Sequence, residues 1–266
     1  MLEVSGLRKI YSGSGAARAI LENIEFQVPE RQFVSIIGAS GSGKSTLLRC
    51  IAGLTEASGG TVLIDNRPVQ GTPEEVVYVF QEYSRSLFPW RRLVRNVAYP
   101  IEETTSKDEA AARARAYIGK VGLAGFEAYY PWELSGGMQQ RAAIARALIK
   151  QPKYLLMDEP FGALDAQTRN QLEDMLLDIW SSTALTVLFV THDIDEAIYL
   201  SDRVLVLGSR PGRVIADIPI DLPRPRDQIE SKEDHRFSEL RRQLFRLIIA
   251  PAVEGDVAAG NVGVLE

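Results

Sequence analysis

The stretch Phe33-Val34-Ser35-Ile36-Ile37-Gly38-Ala39-Ser40-Gly41-Ser42-Gly43-Lys44-Ser45-Thr46 decides the fold. Phe33 to Ile37 is a short apolar run of strand length that ends at Gly38, and from Lys44 onward Leu47, Leu48, Ile51 and Leu54 recur at helical spacing. A strand, a glycine-rich turn and a helix in that order make a phosphate-binding loop. The glycines let consecutive backbone N–H groups point inward as an anion nest, and the helix adds the positive end of its dipole. Lys44 brings a mobile positive charge to the β- and γ-phosphates of a nucleotide, and Ser45 offers a hydroxyl to Mg²⁺. A flexible glycine linker is the competing reading, and the strand and helix on either side weigh against it.

Outward from this unit the chain alternates strand and helix. Tyr154 to Met157 reads as a strand, Gln167 to Trp180 as a helix with Leu172, Met175, Leu176 and Ile179 aligned, and Leu185 to Val190 as a further strand. Repeated units of this kind imply an α/β fold with a mostly parallel sheet covered on both faces. Thr61 to Ile64 and Val76 to Phe80, joined by turn-forming residues, read as antiparallel strands of a small β layer. From Ser106 the character turns helical: Ser106 and Glu109 match a capping box ahead of the segment Ala110 to Val121. A second helix after Ser135 carries Met138, Ala142, Ala145, Leu148 and Ile149 on one face and stops before Pro152. The helical stretch between Gln81 and Pro152 therefore reads as a lobe inserted into the sheet. Beyond Gly212, Leu222-Pro223-Arg224-Pro225-Arg226 reads as a linker, Phe237, Leu240, Leu244 and Leu247 as one more amphipathic helix, and Val257 to Glu266 as a frayed end.

Composition narrows the function classes. A chain of 266 residues, 45% apolar and 24% charged, can bury a sizeable core, and its net charge of -5 offers no basic footprint for nucleic acid. The single cysteine, Cys50, sits among Leu47, Leu48, Ile51 and Leu54, where a buried thiol is the expectation, in keeping with a reducing cytosol. No apolar run approaches the roughly 18 to 20 residues that cross a bilayer. The start, Met1-Leu2-Glu3-Val4-Ser5, lacks the basic and apolar regions of a signal peptide, so the chain is expected to stay where it is made.

Two further segments carry chemistry. Tyr154-Leu155-Leu156-Met157-Asp158-Glu159 is a buried strand ending in two acids, which can serve different tasks because adjacent strand residues point to opposite faces until the chain turns. Asp158 is read as a partner of Mg²⁺, usually through water, and Glu159 as the base for an attacking water. Leu134-Ser135-Gly136-Gly137-Met138-Gln139-Gln140-Arg141 is a second glycine-rich turn opening a helix, hence a second phosphate-binding surface in a chain whose first is already complete. Two half-sites invite a head-to-tail pair in which the Lys44 loop of one copy faces Ser135 of the other and two nucleotides lie between identical subunits. A plain helix cap by Ser135 is the alternative.

Taken together, these segments resemble the ATP-binding cassette family over roughly Leu2 to Asp217, in the family's order. The resemblance implies a P-loop NTPase fold with a RecA-like parallel core, a small antiparallel β subdomain and a helical subdomain at about residues 82–152. Residues 1–217 would form the cassette, and 218–266 a C-terminal linker, amphipathic helix and flexible tail. It further implies that the loop from Gly38 through Ala39, Ser40, Gly41, Ser42, Gly43, Lys44, Ser45 and Thr46 holds ATP, that Tyr11 stacks on adenine, and that Gln81 senses Mg²⁺ and the γ-phosphate. Ser135, Gly136 and Gly137 would contact ATP across the dimer, Asp165 would lie at the dimer interface, and His192 would contact the γ-phosphate. Read from the residues alone, Tyr11 could equally be an exposed loop aromatic, Asp165 a helix cap and His192 a strand-end imidazole bonded to backbone.

Leu87-Phe88-Pro89-Trp90, Pro160-Phe161-Gly162-Ala163-Leu164-Asp165-Ala166-Gln167-Thr168-Arg169 and the Leu222–Arg226 tail are similar to bacterial importers of nitrate, sulfonates and taurine. This implies a membrane-spanning permease as partner, an extracytoplasmic solute-binding protein acting indirectly, and a peripheral place on the cytoplasmic face of the inner membrane. The segment Glu82-Tyr83-Ser84-Arg85-Ser86 and Phe88, where leucine is frequent, depart from that pattern and leave the cargo open. A non-transport ATPase of the same family usually carries two cassettes or a long coiled coil, and neither pattern occurs. A regulator that binds without hydrolysing would be expected to lack Glu159 or His192.

Overall fold

Continuous apolar runs place three strands in the middle of a sheet. β3 (Phe33–Gly38), β7 (Tyr154–Asp158) and β8 (Thr186–Val190) are buried at every residue, as strands covered on both faces must be. A computed structural model describes residues 1–12, 17–81 and 86–256, leaving aside the side chains of 250–256. Glu82 to Arg85 of the departing segment and Val257 to Glu266 lie outside the described residues.

The buried strands belong to a six-stranded sheet in the order β10-β9-β3-β8-β7-β6, with β6 (Val76–Val79), β9 (Arg203–Leu207) and β10 (Val214–Pro219). All neighbours are parallel except β10, which returns antiparallel on the outer edge of β9 and alternates half-buried with exposed residues. A four-stranded antiparallel sheet, β2-β1-β4-β5, is built from β1 (Leu2–Tyr11), β2 (Arg18–Val28), β4 (Gly59–Ile64) and β5 (Arg67–Pro68). Val76 to Phe80, expected as antiparallel material of this small layer, is instead the parallel edge strand of the main sheet. It pairs with β7 from Val76↔Tyr154 to Val79↔Met157, and a pairing partner about eighty residues away leaves no mark on the local pattern.

Strand alternation sorts the core into two. Val34, Ile36, Tyr154 and Leu156 face the small sheet and α1 (Lys44–Ile51), while Phe33, Ile37, Leu155 and Met157 face the helices on the other side. Those are α4 (Gly136–Leu148), α5 (Ala166–Ser181) and α6 (Ile194–Leu200). Leu47, Leu48, Cys50 and Ile51 are buried on α1, but Leu54 lies beyond its end and is 43% exposed, so the helical spacing read from the sequence runs past the helix.

The inserted lobe contains α2 (Leu93–Ala98), α3 (Lys107–Lys120) and α4. Ser106 Oγ accepts from the Glu109 N–H, the hydroxyl half of the expected capping box. After β10 the chain forms a short helix α7 (Glu230–Glu233) and then α8 (His235–Asp256), whose Phe237 and Leu244 are fully buried in the main core. Four of the parallel strands deliver candidate residues to one edge. Gly38 ends β3, Asp158 ends β7, and Gln81 and His192 follow two residues after β6 and β8. The carboxyl edge of a parallel sheet is where open α/β folds take their ligands.

Candidate active site

Between that edge and β2 lies a cavity of about 550 Å³ lined by Ser40, Gly41, Gly43, Lys44, Ser45, Thr46, Gln81, Glu159 and His192, together with Arg18 and Ile20. Gly43 is the N-cap of α1 at φ 96, a left-handed conformation, and a Cβ there would fall 2.7 Å from Leu21 Cδ2. The turn thus depends on glycine both for its conformation and for the approach of β2.

Lys44 is buried and donates to the carbonyls of Gly38 at 2.9 Å and Ala39 at 3.2 Å, so its ammonium curls back over its own loop. Burial pushes its pKa below the ordinary lysine range, and the nearby Glu159 and Asp158 carboxylates work against that. Asp158, 2% exposed, has both oxygens engaged: Ser45 Oγ donates to Oδ1 and Tyr78 OH to Oδ2, each at 2.8 Å. Glu159 adopts φ 43, unusual for a residue with a side chain, and its N–H is held by the Val190 carbonyl at 2.9 Å. Its carboxylate then meets two neighbours at one oxygen. Gln81 Nε2 donates to Glu159 Oε2 at 3.2 Å, and His192 Nδ1 lies 3.2 Å from the same atom.

Among the described residues no cluster of three or more His, Cys, Asp or Glu could hold a metal ion by itself. Mg²⁺ carried on a nucleotide needs no such cage, since phosphate and water oxygens fill most of its octahedral shell. The adjacent hydroxyl of Ser45 and carboxylate of Asp158 form the hard, all-oxygen donor pair it accepts.

Other candidate residues stand apart from the cavity. Ser135 caps α4, with its Oγ accepting from the Met138 N–H, and both Ser135 and Gly136 are exposed on the helical lobe. Gly137 is pressed against the next helix, where a Cβ would sit 2.5 Å from Thr168 Cγ2. Asp165 accepts from the Thr168 N–H at 2.9 Å and caps α5, and its side chain is exposed. Tyr11 ends β1, exposed, with the Lys9 ammonium 4.9 Å from its ring centre. Its strand partner is Arg18, which lines the cavity, so Tyr11 stands at the rim.

Three residues escaped the sequence reading. Arg18 and Ile20 reach the cavity only because β2 folds back beside the loop. Tyr78 holds the second oxygen of Asp158, and a signal existed, because an apolar strand carrying one hydroxyl must find that hydroxyl a partner.

The model of the ABC transporter family matches residues 21–162. The aliphatic sulfonates import ATP-binding protein of Bacillus cereus is 43% identical over 92% of this chain and 94% of its own length. The nitrate import ATP-binding protein of Synechocystis is 45% identical over 84% of this chain and 83% of its own. The chain belongs to the ABC transporter family. A solved ATP-binding cassette, described as a dimeric post-hydrolysis state bound to ADP and Pi, superposes with a TM-score of 0.73 at 32% identity, covering 83% of this chain and 99% of that one. The fold is that of an ABC ATPase, and the chain is an ATP-binding and ATP-hydrolysing cassette.

Behind His192 this ABC cassette buries two carboxylates. Glu173 of α5 and Glu196 of α6 are 2% and 5% exposed. Burial pushes Glu196 up to about 8, against the effect of a bond with the Thr191 hydroxyl, and Glu173 and Asp193 nearby add to the rise. A carboxyl whose pKa is raised on folding holds its proton in the native state while the unfolded chain loses it, so stability falls as pH climbs from the unfolded value toward about 8. Glu196→Gln keeps the shape of the protonated acid and escapes this loss. Melting curves should show variant and wild type alike near pH 4.5, a growing advantage for Glu196→Gln toward pH 8, and a constant gap above it. A gap independent of pH would show that Glu196 does not hold its proton.

Proposed function

We propose that this cassette hydrolyses MgATP in a head-to-tail pair and thereby drives uptake of a small oxyanion-bearing solute, nitrate or an organic sulfonate such as taurine, through a separate membrane-spanning permease. The observation that carries the hydrolytic reading is the meeting of Gln81 and His192 at one oxygen of Glu159 beside the Lys44 loop. A carboxylate so held is a base aimed at a water next to the γ-phosphate. The backbone of Gly38 to Thr46 and the Lys44 ammonium hold the phosphates, Tyr11 takes the adenine, and Ser45, Asp158 and Gln81 hold Mg²⁺, which when bound neutralises charge on the phosphate oxygens. His192 and Gln81 position the γ-phosphate and the water. Ser135, Gly136, Gly137 and Asp165 close the site from the second copy, and the exposure of Ser135, Gly136 and Asp165 away from the cavity of their own chain supports that assignment.

No helix among the described residues is long and apolar enough to cross a membrane. Attachment to the cytoplasmic face therefore runs through the permease, which an extracytoplasmic solute-binding protein supplies. The relatives named for sulfonate and nitrate import support the solute class. Proteoliposomes holding the cassette, permease and solute-binding protein should take up nitrate or a sulfonate only while ATP is hydrolysed. Turnover that never couples to any solute in that assembly would favour a non-transport ATPase instead.

The permease contact is assigned to the cleft of about 610 Å³ between β6 and the helical lobe, lined by Tyr78, Phe80, Gln81, Pro100, Ala143 and Arg146, among others. Leu87-Phe88-Pro89-Trp90 stands beside it but divides its labour. Leu87 is buried, and Phe88 packs on Tyr99 with ring centres 4.7 Å apart, while Trp90 is 70% exposed. Trp90→Ala should therefore leave turnover of the isolated cassette and its melting point near wild type while weakening permease capture by roughly tenfold or more, as loss of an aromatic anchor does. Undiminished capture in a pull-down would take Trp90 off the interface.

A further inference from the structure

The segment Leu222-Pro223-Arg224-Pro225-Arg226-Asp227-Gln228 does not behave as a linker. Its residues alternate: Leu222, Arg224, Arg226 and Gln228 turn inward, while Pro223, Pro225 and Asp227 are exposed. This is the period of an extended strand, and every inward polar side chain ends on the helices behind the catalytic loops.

Those helices start at the reacting end. His192 is followed directly by Asp193, which caps α6 by accepting from the N–H groups of Asp195 and Glu196, and α5 begins immediately after Asp165. Near these starts the two helices are joined by Arg169 Nη1 to Asp193 Oδ2 at 3.0 Å. α6 has only seven residues, too few to be stable alone, and its last carbonyls have no partner within the helix.

The strap supplies those partners. Arg226 Nη1 donates to Ile198 O at 2.9 Å and Tyr199 O at 2.6 Å, and Arg224 Nη2 donates to Leu200 O at 2.9 Å. Cations at a helix C-terminus also complement its dipole. Arg224 is fixed in turn by Asp202 Oδ1 at 2.8 Å and by the Trp180 ring, 4.3 Å away. Two residues beyond Arg226, Gln228 Nε2 reaches α5, with Asn170 O at 3.2 Å, Glu173 Oε2 at 3.0 Å and Asp174 Oδ1 at 2.9 Å. Tyr199 of α6 closes the circuit, its hydroxyl 2.7 Å from Asp174 Oδ1 and 3.2 Å from Arg226 O.

We infer that Arg226 and Gln228 are positioning residues for ATP hydrolysis, fastening α6 to α5 so that His192 and Asp165 keep a fixed mutual placement. This rests on the roles proposed above for those two residues. The physical reason is geometric: His192 must meet phosphate in its own subunit while Asp165 faces the second copy, and an error of about 1 Å in such placement can cost as much as about 10² in rate.

The test uses the full chain and measures kcat, KM for ATP and melting for Arg226→Ala, Arg226→Lys, Gln228→Leu and His192→Ala. Arg236→Ala, whose guanidinium pairs at the surface with Asp234, serves as the control. Arg226→Ala and Gln228→Leu should lower kcat by roughly tenfold with KM within about twofold, because the phosphate loop is carried by α1 and not by these helices. Arg226→Lys, which keeps donors for the same carbonyls, should recover most of the loss, and Arg236→Ala should match wild type. Unchanged kcat in both strap variants would overturn the inference. So would activity lost only in proportion to folded protein, in Gln228→Leu as in Arg226→Ala, which would make the strap purely structural. Full turnover by His192→Ala would instead remove the reading of the site, whereas an inactive His192→Ala beside fully active strap variants would remove the strap alone.

Discussion

Glu159→Gln should reduce ATP turnover by roughly 10²–10⁴ while leaving ATP binding intact, the effect expected when a general base loses its proton affinity but keeps its shape. The amide oxygen can still accept from Gln81 Nε2, so the arrangement at Glu159 survives and only the chemistry is lost. With hydrolysis blocked, the nucleotide-bound pair should accumulate, visible as an ATP-dependent dimer peak on size exclusion. Turnover above about a tenth of wild type, in protein free of contaminating ATPase, would remove Glu159 from the role of base. Binding measured beside turnover separates this outcome from collapse of the phosphate loop.

Ser135→Arg should abolish turnover almost as completely by a different route. Ser135 is exposed on the helical lobe and lines no part of the cavity of its own chain, so its effect must pass through a second copy. A bulky cation there would block the composite site, with turnover falling by roughly 10² or more, while nucleotide binding by the single subunit stays near wild type. In the Glu159→Gln background the same change should erase the ATP-dependent dimer. Lys44→Ala gives the opposite signature, because it weakens nucleotide binding in each subunit before any pairing. Ser135 Oγ also caps α4 by accepting from Met138 N–H, and losing such a cap costs about 1 kcal/mol. Ser135→Ala isolates that cost in a melting curve. Normal hydrolysis and dimerisation by Ser135→Arg would refute a site shared between subunits.

The behaviour of particular segments shows where local pattern informs and where it does not. Leu47, Leu48 and Ile51 announce the buried face of α1 because a helix repeats its face every turn, yet the same count carried on to Leu54 points past the helix end to an exposed residue. Val76 to Val79 has the composition of a strand, but composition carries no direction, and the choice between parallel and antiparallel was made by β7. Leu87-Phe88-Pro89-Trp90 reads as one apolar loop and divides in space into a core residue, a half-buried ring and an exposed one. The proline-rich segment after Leu222 suggested a linker because prolines punctuate chains. In the folded protein the prolines lie on its outer side and its arginines hold a helix end.

By itself, the sequence determined the phosphate loop, the strand ending in Asp158 and Glu159, the glycine turn at Ser135 and the α/β alternation that joins them. Each of these is a contiguous run whose chemistry demands certain residue types at neighbouring positions: glycines where backbone N–H groups must converge, acids where a buried strand reaches the carboxyl edge of the sheet. Tertiary structure alone decided that Tyr78 holds Asp158 across 80 residues, that Arg18 lines the cavity beside the Lys44 loop, and that Gln228 grips α5 from more than 50 residues away. Such contacts join segments that meet only when the sheet is assembled. A side chain's neighbours across the sheet are set by strand order and register, neither of which is written in the period of any one strand or helix.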